Sequence, residues 1–502
     1  MAGLLVDDRE DAAVVEGRSE LQWLTHLIKC HEAELGELGR LNDYYEGKQP
    51  LSYMHPELQR ELEDNVRQVV VNWPRLVVDS IEERLDVEGF RLPGVAESDA
   101  ELWRIWQAND LDEQSQQGHL DALVMKRAYV VVGTNADDAT TPIVTVESAL
   151  DMYAEHDPRT RRLVAAVKRW SVGEGPDQVD YATLYLPNST IWWVKAKGGA
   201  WAEDPDHARD NHNMGELPVE VLANRPRLKA RNGVSELADV IPLSDAACKI
   251  ATDMMISAEF HAMPRRVAFG FGEEDFVDAQ GRRMSVWSRV AGRIWATAKS
   301  RKEDGADVMQ FPEASLSNFH STINQLAQLT ASLSGIPPHF LGYSTANPAS
   351  ADAIRSSETR LIKRAERKQR AWGGTWERVM RLVMRVRDGK WSDAARSLET
   401  IWRDASTPTV AQSADAAVKL FTAKIVPLRP TRERLGFSQV QIERMEELDE
   451  QASQDAMARI AGGDVTPLFG SKPAPPPEPD PTPTPDPVPE PEPVGAAGGN
   501  AA

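Results

Sequence analysis

Ten histidines, two cysteines and a surplus of carboxylates are the residues from which this chain could build a reaction centre, and their spacing argues against one. His31-Glu32 begins like a zinc-protease signature but continues as Ala33-Glu34-Leu35, so the second imidazole is missing one helical turn on. His207 and His212 share a polar loop with Asp204, Asp206 and Asp210, where a solvated loop is expected and incidental divalent-ion binding is the alternative. No GxxxxGK[ST] loop is available to cradle phosphates. The nearest glycine-rich piece, Gly270-Phe271-Gly272, runs into Glu273-Glu274-Asp275 and so puts carboxylates where a phosphate would sit. There is no GxSxG elbow. Acidic pairs such as Glu82-Glu83 and Glu446-Glu447 read as solvated helix faces, and a glycosidase pair is unsupported. Cys30 and Cys248 stand in neither a CxxC nor a Cys/His spacing, which argues against a disulfide framework or structural zinc and suggests a reducing compartment. The sequence thus predicts no catalytic residue, no metal and no cofactor.

The elements around these residues are those of a large soluble chain. Its 502 residues and 41% hydrophobic content suffice for two to four domains with real cores. A net charge of −20 excludes coating by nucleic acid through bulk charge, so any contact with DNA must be local. An acidic N-terminus without an apolar run, and no later run long enough to span a bilayer, predict a chain that is neither exported nor in the membrane. Helical spacing from Ser19, an N-cap, extends through Leu38 and ends near Asn42, and further helices are expected from Pro56 to Val69, after Asn72-Trp73-Pro74, and from Leu102 to Leu123. Short β-branched and aromatic runs at 128–133, 143–146, 163–170, 181–186 and 191–195 predict an antiparallel region. A first long helix through Leu243 to Ala258 stops before Pro264. A small module with strand-like pieces at 266–271 and 293–296 follows, its nine basic and seven acidic residues making it net positive. The second long helix, with Leu316, Phe319, Ile323, Leu326 and Leu333 as a seam for a neighbouring helix, stops near Gly335 and Pro337. The loop 336–350 leads to a third, 351–388, expected to break at Gly373-Gly374. The segment 405–457 reads as mostly helical, with a turn at Pro427 and Pro430. Twelve prolines between Pro473 and Pro493, interspersed with acids, predict a solvated, extended tail.

Charge is distributed unevenly over the long helices. From Ala314 to Ala351, 38 residues carry no Asp, Glu, Lys or Arg. In a chain with 27% charged residues, chance produces such a window roughly once in a hundred thousand. Interleaved Ser, Thr, Asn and Gln exclude a membrane span. Two readings stay open: a helix buried on most sides in an assembly, or a channel lining whose neutral hydrogen-bonding groups let a polyanion slide. The first long helix is expected to carry Glu236, Asp239, Asp245, Asp253 and Glu259 against Lys249 alone, and so to repel DNA more than hold it. The third carries eleven basic residues against Glu358, Glu366 and Glu377, which suits an anionic partner, either DNA or a neighbouring subunit.

Several motifs, in order, resemble one family. Leu41-Asn42-Asp43-Tyr44-Tyr45-Glu46-Gly47-Lys48-Gln49-Pro50-Leu51, then Asn72-Trp73-Pro74-Arg75-Leu76-Val77-Val78-Asp79, Glu82-Glu83-Arg84-Leu85 and Glu88-Gly89-Phe90 are similar to the opening of portal proteins of tailed bacteriophages, most closely those infecting actinobacteria. Asn224-Arg225-Pro226-Arg227-Leu228, Asp253-Met254-Met255, Ser334-Gly335-Ile336-Pro337-Pro338-His339-Phe340-Leu341-Gly342 and Asn347-Pro348-Ala349-Ser350-Ala351-Asp352-Ala353-Ile354 continue the resemblance, which spans about residues 19–457.

The resemblance implies an α+β, mainly helical portal fold assembling as a ring, usually a dodecamer, around a central channel. It implies a flexible N-terminus (1–18), a wing (19–235), a stem helix (236–263), a clip (264–312), a second stem helix (313–335), a tunnel loop (336–350), a long wing helix and return (351–404), a crown (405–466) and the acidic proline tail (467–502). Double-stranded DNA would be packaged and ejected past His339, Phe340, Leu341, Gly342, Tyr343, Ser344, Thr345 and Asn347 of the tunnel loop. Arg265, Arg266, Arg282, Arg283, Arg289 and Arg293 of the clip would bind the terminase large subunit or a head-completion adaptor protein. Arg355, Arg360, Lys363, Arg364, Arg367 and Lys368 would meet a neighbouring subunit or DNA. Major capsid and scaffolding proteins would be further partners. The site of action would be the virion's portal vertex, reached from the host bacterial cytoplasm during assembly. The alternative is a DNA-processing enzyme such as a nuclease with a cryptic metal site.

Overall fold

The computed structural model describes residues 17–50, 69–95, 98–262, 266–269, 307–310, 316–342, 351–406, 410–437 and 439–461. The helix expected from Pro56 to Val69 and the tail therefore lie outside the described residues, as does the strand-like piece at 293–296. Ten α-helices are described: α1 Glu20–Glu46, α2 Trp73–Glu82, α3 Ala100–Ala108, α4 Leu111–Val124, α5 Ile241–Ala262, α6 Ser317–Ser334, α7 Ala351–Asp388, α8 Val410–Thr422, α9 Leu428–Arg434 and α10 Gln439–Ala461. The strands are β1 Val87–Arg91, β2 Arg127–Gly133, β3 Ile143–Ser148, β4 Met152–His156, β5 Leu163–Val172, β6 Val179–Tyr185, β7 Thr190–Ala196, β8 Ala202–Glu203, β9 Val219–Ala223, β10 Arg266–Phe269, β11 Asp307–Gln310 and β12 Glu399–Trp402. The chain divides after Phe437, and α10 belongs to the part that begins at Ser438.

Local chemistry fixes the helix ends. Ser19 forms a reciprocal capping box with Gln22, and α1 runs four residues past Asn42 to Glu46. Asn72 accepts from the Arg75 N–H at 3.2 Å, capping α2, and donates to the Tyr45 carbonyl at 3.0 Å, which ties α2 to the end of α1. The two opening portal-like motifs thus meet in space. The single helix expected from Leu102 to Leu123 is two helices, because Asn109 turns outward: its amide donates to the Ile105 and Pro142 carbonyls while its oxygen accepts from the Val144 N–H at 2.8 Å. Pro427 and Pro430 sit at the cap and in the first turn of α9, where the missing N–H has no helical partner to lose.

Among the described residues all sheets are antiparallel. β4 to β8 form a five-stranded meander, β3-β2-β9 a three-stranded sheet, and β1-β12 and β10-β11 two-stranded ribbons. The antiparallel region is thus as expected. Strands β1, β4, β8, β9, β11 and β12 are not legible in the sequence, since each is five residues or fewer, too short for a pattern of its own.

Helix α1 serves two cores. Its first half packs Trp23, Leu24 and Leu27 against Val167, Leu184, Ile191 and Trp193 of the meander. Its second half adds Leu38, Leu41 and Tyr44 to a larger core with α2, α4, β2 and α7. The C-terminal half of α7 lies on β2, β9 and β12, so the long helix and its return share a core with the N-terminal helices. The expected break at Gly373-Gly374 is absent: α7 is continuous to Asp388. A Cβ on Gly373 would stand 3.0 Å from the Trp402 indole nitrogen, and Thr400 Oγ1 donates to the Gly373 carbonyl at 3.0 Å. The glycine admits β12 to the helix surface, and that packing outweighs the weak propensity of two glycines for helix.

Candidate functional site

Helix α6 is the uncharged helix, and its chemistry follows from where each polar group turns. Thr330 and Ser334 return their hydroxyls to the carbonyls four residues back, at 2.9 and 2.6 Å, and lie buried beside Ala327 and Ala331. Those four are its buried residues. Helices α5 and α6 pack against each other, and small side chains allow the close approach. The expected seam is only partly used: Ile323 and Leu326 pack on the main core, whereas Leu333 is exposed. The remaining surface presents Asn318, His320, Ser321, Thr322, Asn324, Gln325 and Gln328, all exposed and none charged. Within one chain, α6 is therefore a surface helix rather than one buried on most sides.

The end of α6 is built to turn. Gly335 takes φ +74°, and a Cβ there would meet the Arg360 side chain at 2.9 Å. Arg360 donates to the Ser332 carbonyl at 2.5 Å, giving the C-terminus of α6 both a donor and a positive charge. Beyond buried Ile336, a 3-10 turn over Pro338–Leu341 carries His339, Phe340 and Leu341, with Phe340 and Leu341 half-buried against the main core. His339 is exposed, and Gly342 follows at φ +77°. Tyr343, Ser344, Thr345 and Asn347 lie outside the described residues.

The basic helix is partly self-neutralised. Glu236, fully buried, accepts from Lys368 at 2.9 Å, from the Asn224 amide at 3.2 Å, and contacts the Arg364 guanidinium. Asn224 Oδ1 in turn accepts from Lys368. Burial first, then Arg364 and Arg225, pulls the Lys368 ammonium well below its ordinary value, and burial and Arg225 pull Arg364 down to about 10. The Glu236 carboxylate is the counter-charge that keeps these two cations in place. Asn224, quoted above only as part of a motif, is thereby a lock between β9 and α7. Glu236 and Asp239 precede α5 rather than sit on it. Asp239 pairs with Arg225 at 3.0 Å, Asp245 accepts from Tyr44 at 2.9 Å, and Asp253 contacts Lys249. Three of the five expected acids, Glu236, Asp239 and Asp253, are thus paired with cations inside the chain; Asp245 meets a neutral hydroxyl, and the Glu259 side chain lies outside the described residues.

Around that lock is a cleft of about 490 Å³ lined by Leu333, Arg360, Lys363, Arg364, Arg367 and Lys368, so the structure does bring five of the basic-helix residues together beside the end of α6. Lys363 and Arg367 are exposed at it. The Arg355 side chain, like Arg265, Arg282, Arg283, Arg289 and Arg293, lies outside the described residues. Arg266 is on β10, paired with Gln310 of β11. A larger cleft, about 1350 Å³, gathers Arg161, Arg162, Arg227, Arg231, Arg378, Arg381 and Arg396. Sequence reasoning missed it because these arginines come from four separate segments. The His207 and His212 loop forms no joint site: His207 bonds Asp204 at 2.8 Å, while His212 accepts from the Met214 N–H.

A neutral surface helix thus ends in a braced turn, and beside it an ion network ties α7 to the end of β9. The chain belongs to a phage portal protein family: the family described as "Phage portal protein, SPP1 Gp6-like" matches residues 24–457. Similar curated proteins are the portal protein of Mycobacterium phage D29, 38% identical over 393 residues (76% of this chain, 79% of that one), and the portal protein of Mycobacterium phage L5, 35% identical over 481 residues (94% and 95%). Among solved structures, a chain of the virion of a native gene transfer agent particle aligns at TM-score 0.38 and 14% identity, covering 80% of this chain and 93% of that one. The neck of the same kind of particle, computed with C12 symmetry, aligns at 0.39 and 13%, covering 76% and 94%. The resemblance to actinobacteriophage portals is thus shown, and the nuclease alternative finds no support. Among the described residues, no helix is long and apolar enough to cross a membrane.

Proposed function

We propose that this portal protein forms a closed ring, a dodecamer in its working form, whose channel passes double-stranded DNA into the capsid during packaging and out of it on infection. The observation that carries the reading is the exposed, charge-free face of α6 leading into the braced turn at 338–341. A duplex presents one negative charge per ~1.7 Å, and each firm lysine contact adds counterion-release affinity that must be overcome at every step; neutral amides and hydroxyls avoid that grip.

In this reading residues 19–235 and 351–404 form the wing, α5 and α6 the stem, 264–312 the clip, 336–350 the tunnel loop and 405–466 the crown. The clip arginines receive the terminase large subunit, which hydrolyses the ATP, and later the head-completion adaptor. Lys363 and Arg367 at the smaller cleft face the acidic surface of a neighbouring subunit. Major capsid and scaffolding proteins surround the ring, which works at one vertex of the virion after assembly in the host bacterial cytoplasm.

Purified protein at micromolar concentration and physiological salt should give rings in negative stain and a ring-sized mass in light scattering. A monomeric mass, or metal-dependent degradation of DNA by a small oligomer, would overturn the reading.

A further inference from the structure

The geometry points to a cation site of the zinc class, made by His26 and Cys30 of α1 with Glu155 of β4, that clamps the first helix to the five-stranded meander. His26 and Cys30 are four residues apart and so share one face of α1, and Glu155 arrives from a strand 129 positions away from His26. One nitrogen, one sulfur and one carboxylate oxygen from the three residues lie within 4.8 Å of one another.

The donor set selects the ion. A thiolate, an imidazole and one carboxylate suit a borderline divalent cation such as Zn²⁺ or Co²⁺, whereas Mg²⁺ and Ca²⁺ ask for oxygen alone. With Zn–N near ~2.05 Å and Zn–S near ~2.3 Å, a tetrahedral ion requires an N···S separation of about 3.6 Å. Cys30 Sγ stands 3.7 Å from His26 Nε2. The carboxylate is closer than an ion would set it, at 2.5 Å from the same nitrogen, and must withdraw by somewhat less than 1 Å as the ion replaces that hydrogen bond. All three side chains are half-buried, which leaves a fourth position for water.

The surroundings fit a held site. The register of β4 slips between Glu155 and His156, and a bulge of this kind re-aims the side chain it carries. The Trp23 ring stands edge-on to His26 with centroids 6.1 Å apart, restricting its rotation. The opposing influence is Arg18, 3.9 Å from the other Glu155 oxygen, which competes with a cation for that carboxylate. Binding requires the thiolate and a bare Nε2, so the Cys30 proton leaves for solvent, the proton that His26 Nε2 shares with Glu155 moves to Nδ1 or leaves with it, and affinity falls as pH is lowered.

The test uses the full-length protein, freed of metal by chelation, then titrated with Zn²⁺ and, separately, Co²⁺. One ion per chain should bind, the melting temperature should rise, and Co²⁺ should develop a thiolate-to-metal charge-transfer band. Cys248 is buried and hydrogen-bonded to the Val71 backbone, so Cys248→Ser should keep the band and Cys30→Ser should abolish it. Glu155→Gln keeps an acceptor for His26 but not a good ligand, and affinity should fall by about tenfold or more. The proposal is overturned if Zn²⁺ neither binds nor stabilises, if the cobalt band is absent, or if Cys30→Ser and Glu155→Gln bind as the parent does.

Discussion

Lys368 holds its ammonium 2.9 Å from the Glu236 carboxylate, with Glu236 fully buried and Arg364 on the other side. One carboxylate thus anchors two cations of α7, and the two kinds of partner are not equivalent. Glu236→Gln removes the counter-charge of both buried Lys368 and half-buried Arg364, whereas Lys368→Met leaves the carboxylate with Arg364. Removing one partner of a buried pair costs up to about 3–5 kcal/mol, less where the stranded group can shed its proton, so Glu236→Gln should cost more than Lys368→Met. Urea unfolding of both variants checks the order. Equal losses would mean that Arg364 takes no part.

Trp376 donates its indole N–H to Nε2 of His119 at 3.0 Å, and complete burial holds the imidazole neutral, its pKa pushed down to about 3. The unfolded chain binds a proton near pH 6.5 that the folded chain does not. Stability from this group is therefore full above pH ~6.5 and lost as pH falls toward 3. Between pH 7 and pH 5 the loss is about 2 kcal/mol. His119→Gln, which still accepts from Trp376, should show a drop smaller by that amount in unfolding measured at both pH values. An unchanged drop would place the titration elsewhere, with buried His31 and half-buried His156 the next groups to examine.

How far the sequence could reveal these relationships depended on range. Periodicity and caps located α1, α2, α5, α6 and α7, because an amphipathic stripe and a capping residue are local. What failed was non-local. Gly373 reads as a helix break until Trp402 and Thr400 arrive from β12, and Glu236 reads as a repelling surface charge until Lys368, 132 positions away, meets it. The uncharged run was legible as composition, but not which of its side chains faced outward. His26 and Cys30 form neither a cysteine pair nor a histidine pair, the spacings that mark a metal site in sequence, and Glu155 joins them only through the packing of α1 on the sheet.

The clip assignment is tested by charge reversal. Arg282→Glu with Arg283→Glu should leave rings intact and weaken capture of the terminase or adaptor protein, with the difference largest at low salt, where screening is least. Capture equal to that of the parent at low and high salt would remove both residues from the interface.

The exposed face of α6 decides between its two readings. Asn324 and Gln328 are exposed and one turn apart, so both stand on one side of the helix. If that side lines the channel, Asn324→Lys with Gln328→Lys leaves ring assembly and motor ATPase intact. It adds two lysines per subunit to the DNA path, and packaging slows or stalls, most severely at low salt, where counterion release is worth most. If that side is instead a subunit interface, the same lysines bring buried like charges together and rings fail to form. Negative stain of the double variant separates the two outcomes before any packaging assay is run. Intact rings that package at the parent rate in low salt would show that this face touches neither DNA nor a neighbour. The sliding surface would then have to lie on the loop beyond Gly342, where Ser344→Lys with Thr345→Lys should produce the stall instead.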